Sequence, residues 1–151
     1  MFSRSSGYAI QALTYLADQP SGKLVGAREM ATRLEIPMPF LWKILRNLSQ
    51  QKLVRSFKGV HGGYELARPA KTIRVSEILA VGREGDQIGG CVLGLDECDD
   101  HDPCPLHMQW KSFRTQIEAR FRTTTLADLA RDSKPSQSKR SRLRTAAAKA
   151  S

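Results

Sequence analysis

The chain has 151 residues, with 24 Lys or Arg against 15 Asp or Glu, and a formal net charge of +9. Its hydrophobic content of 40% and charged content of 26% are typical of a globular protein and exclude a fully disordered chain. No apolar run reaches the ~18 residues that a membrane span needs, and the first residues lack the pattern of a secretory signal peptide. We therefore expect a cytoplasmic protein that is not attached to a membrane.

The positive charge is unevenly distributed along the chain. Residues 1–95 carry thirteen basic and seven acidic side chains, residues 96–133 carry five against eight, and residues 134–151 carry six basic side chains and no acid. A basic first half suits a partner that carries phosphate groups, although charge alone does not identify one. Because residues 134–151 are rich in Ser, Lys, Arg and Ala, we expect a disordered basic tail there.

The first third of the chain predicts three helices. Apolar residues recur at helical spacing in residues 6–18, in residues 27–35 and again after Pro39, which suits the first turn of a helix. The third helix leaves Lys43 and Arg46 outward and has an apolar face made of Phe40, Leu41, Ile44, Leu45 and Leu48. Two short helices joined by a tight turn, the second of them basic, predict a helix-turn-helix, although an ordinary surface helix has a similar charged face.

A β-hairpin is predicted directly after this pair of helices. Residues 53–57 and 64–67 have strand character, and a glycine-rich turn with Lys58 and His61 joins them. A hairpin in this place is typical of a wing, whose glycines let the backbone approach a DNA phosphate, and we expect Arg55 to contact a phosphate. Nine Lys or Arg against two acids between residues 33 and 74 favour a wing over an ordinary surface hairpin.

A longer helix is predicted after residue 105. Its apolar residues recur at steps of four, three, four and four, close to a heptad pattern, and are Leu106, Trp110, Phe113, Ile117 and Phe121. We interpret the last four of these as a dimer interface, with packing against the chain's own domain as the alternative. A short helix over residues 75–81 precedes this element, and Thr125 can cap a final short helix.

All three cysteines of the chain lie between these elements. Their spacing is Cys91-x6-Cys98-x5-Cys104, and His107 follows three residues later. An odd number of cysteines is unusual for a secreted disulfide framework, whereas thiolates with an imidazole suit an iron–sulfur cluster or zinc. The residues alone leave a cluster, a zinc site and a reversible disulfide between two thiols as alternatives. His101 is a competing nitrogen ligand, and any acid of the loop can supply an oxygen.

Four stretches of the chain carry a family resemblance. They read S-G-Y-A-I-Q-A-L, I-P-M-P-F-L-W-K-I-L-R-N-L, L-V-R-S-F-K-G-V-H-G-G-Y-E-L-A-R-P and V-S-E-I-L. They resemble the Rrf-type winged-helix regulators of bacteria, a family that includes the iron–sulfur sensors IscR, NsrR and RirA, and the resemblance covers about residues 3–133. It implies a mainly α fold with a small β-hairpin wing, a homodimer, and double-stranded DNA with a palindromic operator as the partner.

The resemblance also implies how the chain is divided. A winged helix-turn-helix DNA-binding domain spans residues 1–82, a cysteine-rich cluster-binding loop 83–105, a dimerisation helix with a short terminal helix 106–133, and the basic tail 134–151. We expect DNA contacts from the third helix and the wing, namely Pro39, Trp42, Lys43, Arg46, Arg55, Lys58 and His61. Trp42 stands where IscR has a glutamate, which leaves the operator sequence open. No nucleophile–base arrangement is evident, so we expect a regulator and not an enzyme.

The ligands of a cluster follow from the same resemblance. Cys91, Cys98 and Cys104 occupy the positions at which sensor members carry an iron–sulfur cluster, and His107 matches a histidine of IscR. NsrR uses an aspartate at the place where this chain has Tyr8. A 2Fe–2S cluster is favoured, but the first cysteine spacing is one residue longer than in IscR, which leaves the cluster type open, with 4Fe–4S as the other possibility. A regulator of this kind senses redox state, nitric oxide or iron–sulfur status. The alternatives are a zinc-binding or thiol-redox winged-helix protein and an interaction module that does not bind DNA.

Overall fold

The architecture comes from a computed structural model that describes residues 4–81, 90–94 and 98–132. Along the chain its elements are α1 Arg4–Ala17, α2 Ala27–Leu34, α3 Met38–Gln50, β1 Val54–Phe57, β2 Gly63–Leu66, a 3-10 turn at Ala70–Thr72, α4 Val75–Val81, α5 His107–Thr123 and α6 Leu126–Asp132. The predicted order of helices and hairpin is confirmed. The predicted tail and parts of the predicted loop, residues 82–89 and 95–97, lie outside the described residues.

The core is built where α1, α2 and α3 meet. Each helix contributes an apolar stripe at helical spacing, and the fully or nearly fully buried members are Ala9, Ala12, Leu13, Leu16, Met30, Leu41, Ile44, Leu45 and Leu48. Small alanines on α1 let its backbone approach the neighbouring helices closely. The pattern of the third helix therefore predicted four of its five inward residues correctly.

The fifth predicted inward residue, Phe40, is 58% exposed, so that prediction is wrong. Phe40 lies in the first turn of α3, where Pro37 precedes the helix and Pro39 occupies its first turn. Met38 packs against the core at this end of the helix instead. The spacing of apolar residues shows which side of a helix faces the core. The length of that side that is buried depends on which other elements of the fold pack against it.

The wing is an antiparallel pair of strands, and Val25 adds one isolated bridge to it. β1 and β2 pair from Val54 opposite Leu66 to Phe57 opposite Gly63. Val25 pairs with Tyr64, with N···O distances of 3.0 and 2.8 Å between their backbones. A Cβ on Gly63 would lie 2.8 Å from the carbonyl oxygen of Val25, so this approach requires glycine.

The segment after the wing is hydrogen-bonded to the end of the long helix. The Val75 N–H donates to the carbonyl of Thr124 at 3.0 Å, and the Leu126 N–H donates to the carbonyl of Ile73 at 2.8 Å. Leu126 is fully buried and belongs to the main core. The start of α6 therefore belongs to the winged domain, as does the last turn of α5. None of the described helices has the length and apolar character that crossing a membrane would require.

Candidate metal centre and DNA-binding surface

The side of α3 opposite the buried stripe is open to solvent. Pro39, Trp42, Lys43 and Arg46 are all exposed, and Trp42 is exposed by 58%. Two cations, an indole and a proline ring thus lie on one helix surface without being covered by the rest of the described chain. Such a surface has the donors and the flat apolar area that contacts to DNA phosphates and base edges need.

The tip of the wing is equally accessible. Lys58 and His61 are exposed, and Val60 between them is 97% exposed. The backbone is compressed here, because a Cβ on Gly62 would lie 2.1 Å from the carbonyl oxygen of Phe57. The wing therefore presents a cation, an imidazole and an apolar side chain on a turn whose conformation depends on glycine.

Arg55 has a partner that the sequence reasoning missed. Its Nη2 lies 2.9 Å from Oε1 of Glu65, directly across the hairpin in the strand register. The signal was available, because a hairpin with Phe57 opposite Gly63 necessarily places residue 55 opposite residue 65. Any phosphate contact by Arg55 competes with this ion pair.

The cysteine loop brings one thiol and one imidazole into contact. The Sγ of Cys98 lies 3.4 Å from Nδ1 of His107, at the first residue of α5. Backbone contacts hold the other two cysteines in turns: the His107 N–H donates to the carbonyl of Cys104 at 2.9 Å, and the Gly94 N–H to that of Cys91 at 3.0 Å. All three thiols are half-buried.

The described residues do not form a complete metal cage. Within residues 4–81, 90–94 and 98–132, no three His, Cys, Asp or Glu side chains come together closely enough to hold a metal ion. Of the four predicted ligands, Cys98 and His107 are in contact. The donor set nevertheless fits an iron–sulfur cluster in its chemistry, because a thiol and a buried imidazole meet at the start of α5 and two further thiols belong to the same loop.

His107 is contacted at both ring nitrogens. Its side chain is only 5% exposed, and Nε2 lies 2.7 Å from Oδ1 of Asp100. Both oxygens of Asp100 also accept hydrogen bonds from Nζ of Lys111 at 2.8 Å. The hydrogen bond from Lys111, and then that from His107, holds the pKa of Asp100 below its ordinary value. The competing histidine predicted from sequence, His101, is exposed.

The sequence prediction missed Lys111 at this site and included Asp100 only as one of five loop acids that can supply an oxygen. The available signal was the spacing of His107 and Lys111, four residues apart on one helix side, with a cluster of acids just upstream. The sequence did not distinguish Asp100 from the other acids of the loop. Tyr8, at the place of a possible ligand from α1, is half-buried against the core.

A hydrogen bond from Trp110 connects α5 to Gly90, which precedes Cys91 in the loop. Its Nε1 donates to the carbonyl of Gly90 at 2.8 Å, and the residue is only 9% exposed. Its ring stacks on that of Phe113 with centroids 5.7 Å apart. Trp110 thus makes contacts within its own chain beside the candidate site.

The four apolar residues predicted as a dimer interface have different surroundings. Ile117 and Phe121 pack against Val75 and Leu79 of α4, in the same chain. Phe113 is 47% exposed, and Leu106 and Met108 are exposed by 46% and 70%. Ile117 and Phe121 are thus half-buried by contacts within the chain, and the N-terminal part of the pattern leaves an open apolar surface. The dimer interface stays a prediction.

Comparison with known proteins identifies the family and the fold of the chain. The profile of the Rrf2 family, described as an iron-dependent transcriptional regulator, matches residues 2–132. The chain is 44% identical over 79 residues to the HTH-type transcriptional regulator IscR of Cereibacter sphaeroides, an alignment that covers 51% of each protein.

Two solved structures have the same fold. IscR of T. potens superposes with a TM-score of 0.68 at 27% identity, covering 89% of this chain and 88% of that one. CymR, the global cysteine regulator of B. subtilis, superposes with a TM-score of 0.72 at 22% identity, covering 88% of this chain and 98% of that one. The profile match extends over most of the chain, from α1 to α6, and the chain belongs to the Rrf2 family of transcriptional regulators, which are not enzymes.

Proposed function

We propose that the protein is a cytoplasmic, homodimeric DNA-binding regulator that senses redox state, nitric oxide or iron–sulfur status through an iron–sulfur cluster. Cys91, Cys98, Cys104 and His107 would hold the cluster, with the 2Fe–2S type favoured and zinc as the alternative metal. The observation that carries the proposal is the buried imidazole of His107, with Nδ1 3.4 Å from the thiol of Cys98 at the start of α5. An iron-dependent family and an IscR relative support it.

The ligand residues determine what the site can do. When bound, an iron–sulfur cluster supplies one-electron redox chemistry. Thiolates from the loop bind soft metals, and the neutral imidazole in place of a fourth thiolate makes the ligand set less negative. Three of these ligands come from the loop and one from the first turn of a helix, so metal binding links the conformation of the loop to α5.

The other end of α5 is hydrogen-bonded to the winged domain. The guanidinium of Arg74 donates to the carbonyl of Thr123 at 3.1 Å, and the Val75 N–H donates to that of Thr124 at 3.0 Å. These residues lie shortly after β2, the second strand of the wing. A change in how the loop holds the first turn of α5 therefore has a continuous path to the wing, and can shift its position on DNA.

The proposed DNA contacts fall into two groups. The first group lies on α3 and enters the major groove; it consists of Lys43 and Arg46, with Trp42 and Pro39 beside them. The second group lies at the tip of the wing, which also contacts the DNA, and consists of Lys58 and His61. Arg55 forms an ion pair with Glu65, so it contacts a DNA phosphate only when that phosphate displaces the carboxylate of Glu65. Two copies of this surface in a homodimer read a palindromic operator.

The proposed dimer interface centres on the open apolar surface of α5. The contact area comes from three exposed apolar residues, Phe113, Leu106 and Met108. The ring of Trp110 stacks on that of Phe113. Phe113→Asp is expected to convert a dimer to a monomer in size-exclusion chromatography with light scattering. Thr115→Asp places the same charge at another exposed position of α5 and serves as the control. A monomeric wild-type protein, or a dimer that Phe113→Asp leaves intact, would contradict this interface.

The metal is tested by anaerobic purification followed by visible absorbance and by iron, sulfide and zinc analysis. A coloured protein with iron and acid-labile sulfide in similar amounts is expected, and Cys98→Ser should lose both. A colourless protein with stoichiometric zinc and no acid-labile sulfide would refute the cluster. A protein without metal would favour the thiol-redox alternative.

DNA recognition is tested by fluorescence anisotropy with a palindromic fragment selected from random sequence by the wild-type protein. Affinity should fall steeply with salt, because phosphate contacts release counterions, and the selected fragment should stay preferred over a scrambled one. Equal affinity for both fragments at every salt concentration would rule out sequence-specific DNA binding and with it the proposed regulator.

A further inference from the structure

His107 has to present one particular nitrogen to the thiols if it is a ligand. A neutral imidazole carries one N–H and one lone pair, and the hydrogen bond at one nitrogen decides which is which. At His107 the nitrogen that faces Cys98 is Nδ1, and the nitrogen that faces a carboxylate is Nε2. Because an ionised carboxylate only accepts hydrogen bonds, a neutral ring in this position would carry its N–H on Nε2, beside Asp100, and its lone pair on Nδ1.

Asp100 is itself held in place from the same helix. Lys111 lies one turn after His107 on α5 and donates to both oxygens of Asp100 at 2.8 Å. The carboxylate is 66% exposed, whereas the ring that it contacts is 5% exposed. Asp100 thus lies between the buried imidazole and solvent, and it is hydrogen-bonded to both His107 and Lys111 on the same side of α5.

We propose that Asp100, anchored by Lys111, is a positioning residue that fixes the tautomer and orientation of His107, so that Nδ1 is the nitrogen available to the metal. The inference rests on the proposed function and adds to it the ligating atom and the pair of residues that selects it. Outer carboxylates that orient a ligating histidine typically change metal affinity by about 10–100-fold when removed. The same range is expected here.

The first test uses the metal-free full-length protein and needs no cluster. Long-range proton–nitrogen correlation spectra distinguish the two imidazole tautomers, and His107→Gln identifies the signals of this ring among the three histidines of the chain. The wild type is expected to carry its proton on Nε2. Asp100→Ala should give a mixture of tautomers, and Asp100→Asn, whose amide oxygen still accepts a hydrogen bond, should restore the wild-type spectrum. A proton on Nδ1 in the wild type, or an unchanged spectrum in Asp100→Ala, would overturn the inference.

The second test measures how firmly iron is held. After anaerobic reconstitution, the EDTA concentration that removes half of the iron should be about 10–100-fold lower for Asp100→Ala than for the wild type. Lys111→Ala should lie in between, and Lys111→Arg should keep most of the wild-type resistance because it keeps the cation. Glu118→Gln is the control, since it removes a carboxylate from an ion pair with Arg122 farther along α5.

The outcomes separate the inference from the function on which it rests. A wild type that takes up no iron–sulfur cluster refutes the proposed function, while the spectra of the metal-free protein still decide whether Asp100 sets the ring. If Asp100→Ala shifts the tautomer but resists EDTA like the wild type, Asp100 does not position a ligand. Equal loss of iron in Glu118→Gln would show a general charge effect and would equally overturn the inference. Circular dichroism of each variant verifies that the fold is retained.

Discussion

Replacing Gly62 by alanine is the sharpest test of the wing conformation. The added Cβ would lie 2.1 Å from the carbonyl oxygen of Phe57 and 2.8 Å from the carbonyl carbon of Lys58, both of them backbone atoms. A carbon and an oxygen that are not bonded need ~3 Å or more, so the turn must open by about 1 Å. Overpacking of this kind costs about 1–3 kcal/mol, and no flexible side chain is available to absorb it.

The displaced turn also carries a proposed DNA contact. If binding requires the wing to return to its original shape, a cost of about 1–3 kcal/mol weakens DNA affinity by about 5- to 150-fold. Urea denaturation followed by circular dichroism gives the first quantity, and fluorescence anisotropy with a selected DNA fragment gives the second.

Gly7→Ala is the matched control for this substitution. A Cβ on Gly7 meets nothing within 4 Å, and the residue lies inside α1, so alanine there should stabilise the protein by about 0.5–1 kcal/mol. The reasoning would be refuted if Gly62→Ala matched the wild type in both stability and DNA affinity.

Four further predictions concern the core, the cap of α6, the pH dependence of that cap and the exposed side of α3. Leu13→Ala should lower the free energy of unfolding by about 2–5 kcal/mol in urea titrations, because Leu13 is fully buried among three helices. Thr125→Ala should cost about 1 kcal/mol, since Oγ1 of Thr125 accepts from the N–H of Asp128 at 3.1 Å at the start of α6. Hydrogen bonds lower the pKa of Asp128, and the one from the backbone N–H of Thr125 is the largest cause. The ionised carboxylate therefore stabilises the fold at pH values above the ordinary Asp pKa, and this stabilisation is lost as the pH falls through the lowered pKa of Asp128. The stability difference between wild type and Asp128→Asn should accordingly be larger at pH 7 than in strong acid. Lys43→Ala and Arg46→Ala should each cost about 1–3 kcal/mol of binding free energy on the selected fragment while leaving the unfolding curve unchanged, because both side chains are exposed.

The parts of the fold that the sequence predicted well are those with a strong period. The buried stripe of α3, the wing and the cap of α6 all follow from local patterns, and the structure confirms each of them. The inward position of Phe40 was wrong because it lies in the first turn of a helix, where the covering neighbours are set by tertiary packing. For Ile117 and Phe121 the spacing predicted an apolar helix side but not its contact with α4, and a dimer contact of the same residues stays a prediction.

The candidate site was predictable in composition but not in geometry. The soft ligands and His107 could be listed from their types and spacing. Burial of His107, the choice of Asp100 among several acids and the pairing of Trp110 with Gly90 depend on how the loop folds back on α5. Those contacts join residues up to twenty positions apart in a loop without a period, so no local pattern encodes them.

The start of α5 differs from the start of α6 in how its backbone N–H groups and its helix dipole are complemented. Among the described residues, no side chain caps the first turn of α5, and that turn contains no acid that would complement the helix dipole. The positive end of the dipole favours negative charge, which the carboxylate of Asp100 supplies from outside the helix. Thiolates gathered by a metal at Cys98 and its neighbours would add negative charge at the same end. By contrast, α6 has its own cap in Thr125 and Asp128. The first turn of α5 thus takes its negative partner from the loop, whereas α6 takes its own from its first turn and the residue before it. Under the proposed function, this difference makes the start of α5 the helix end on which a bound metal would act.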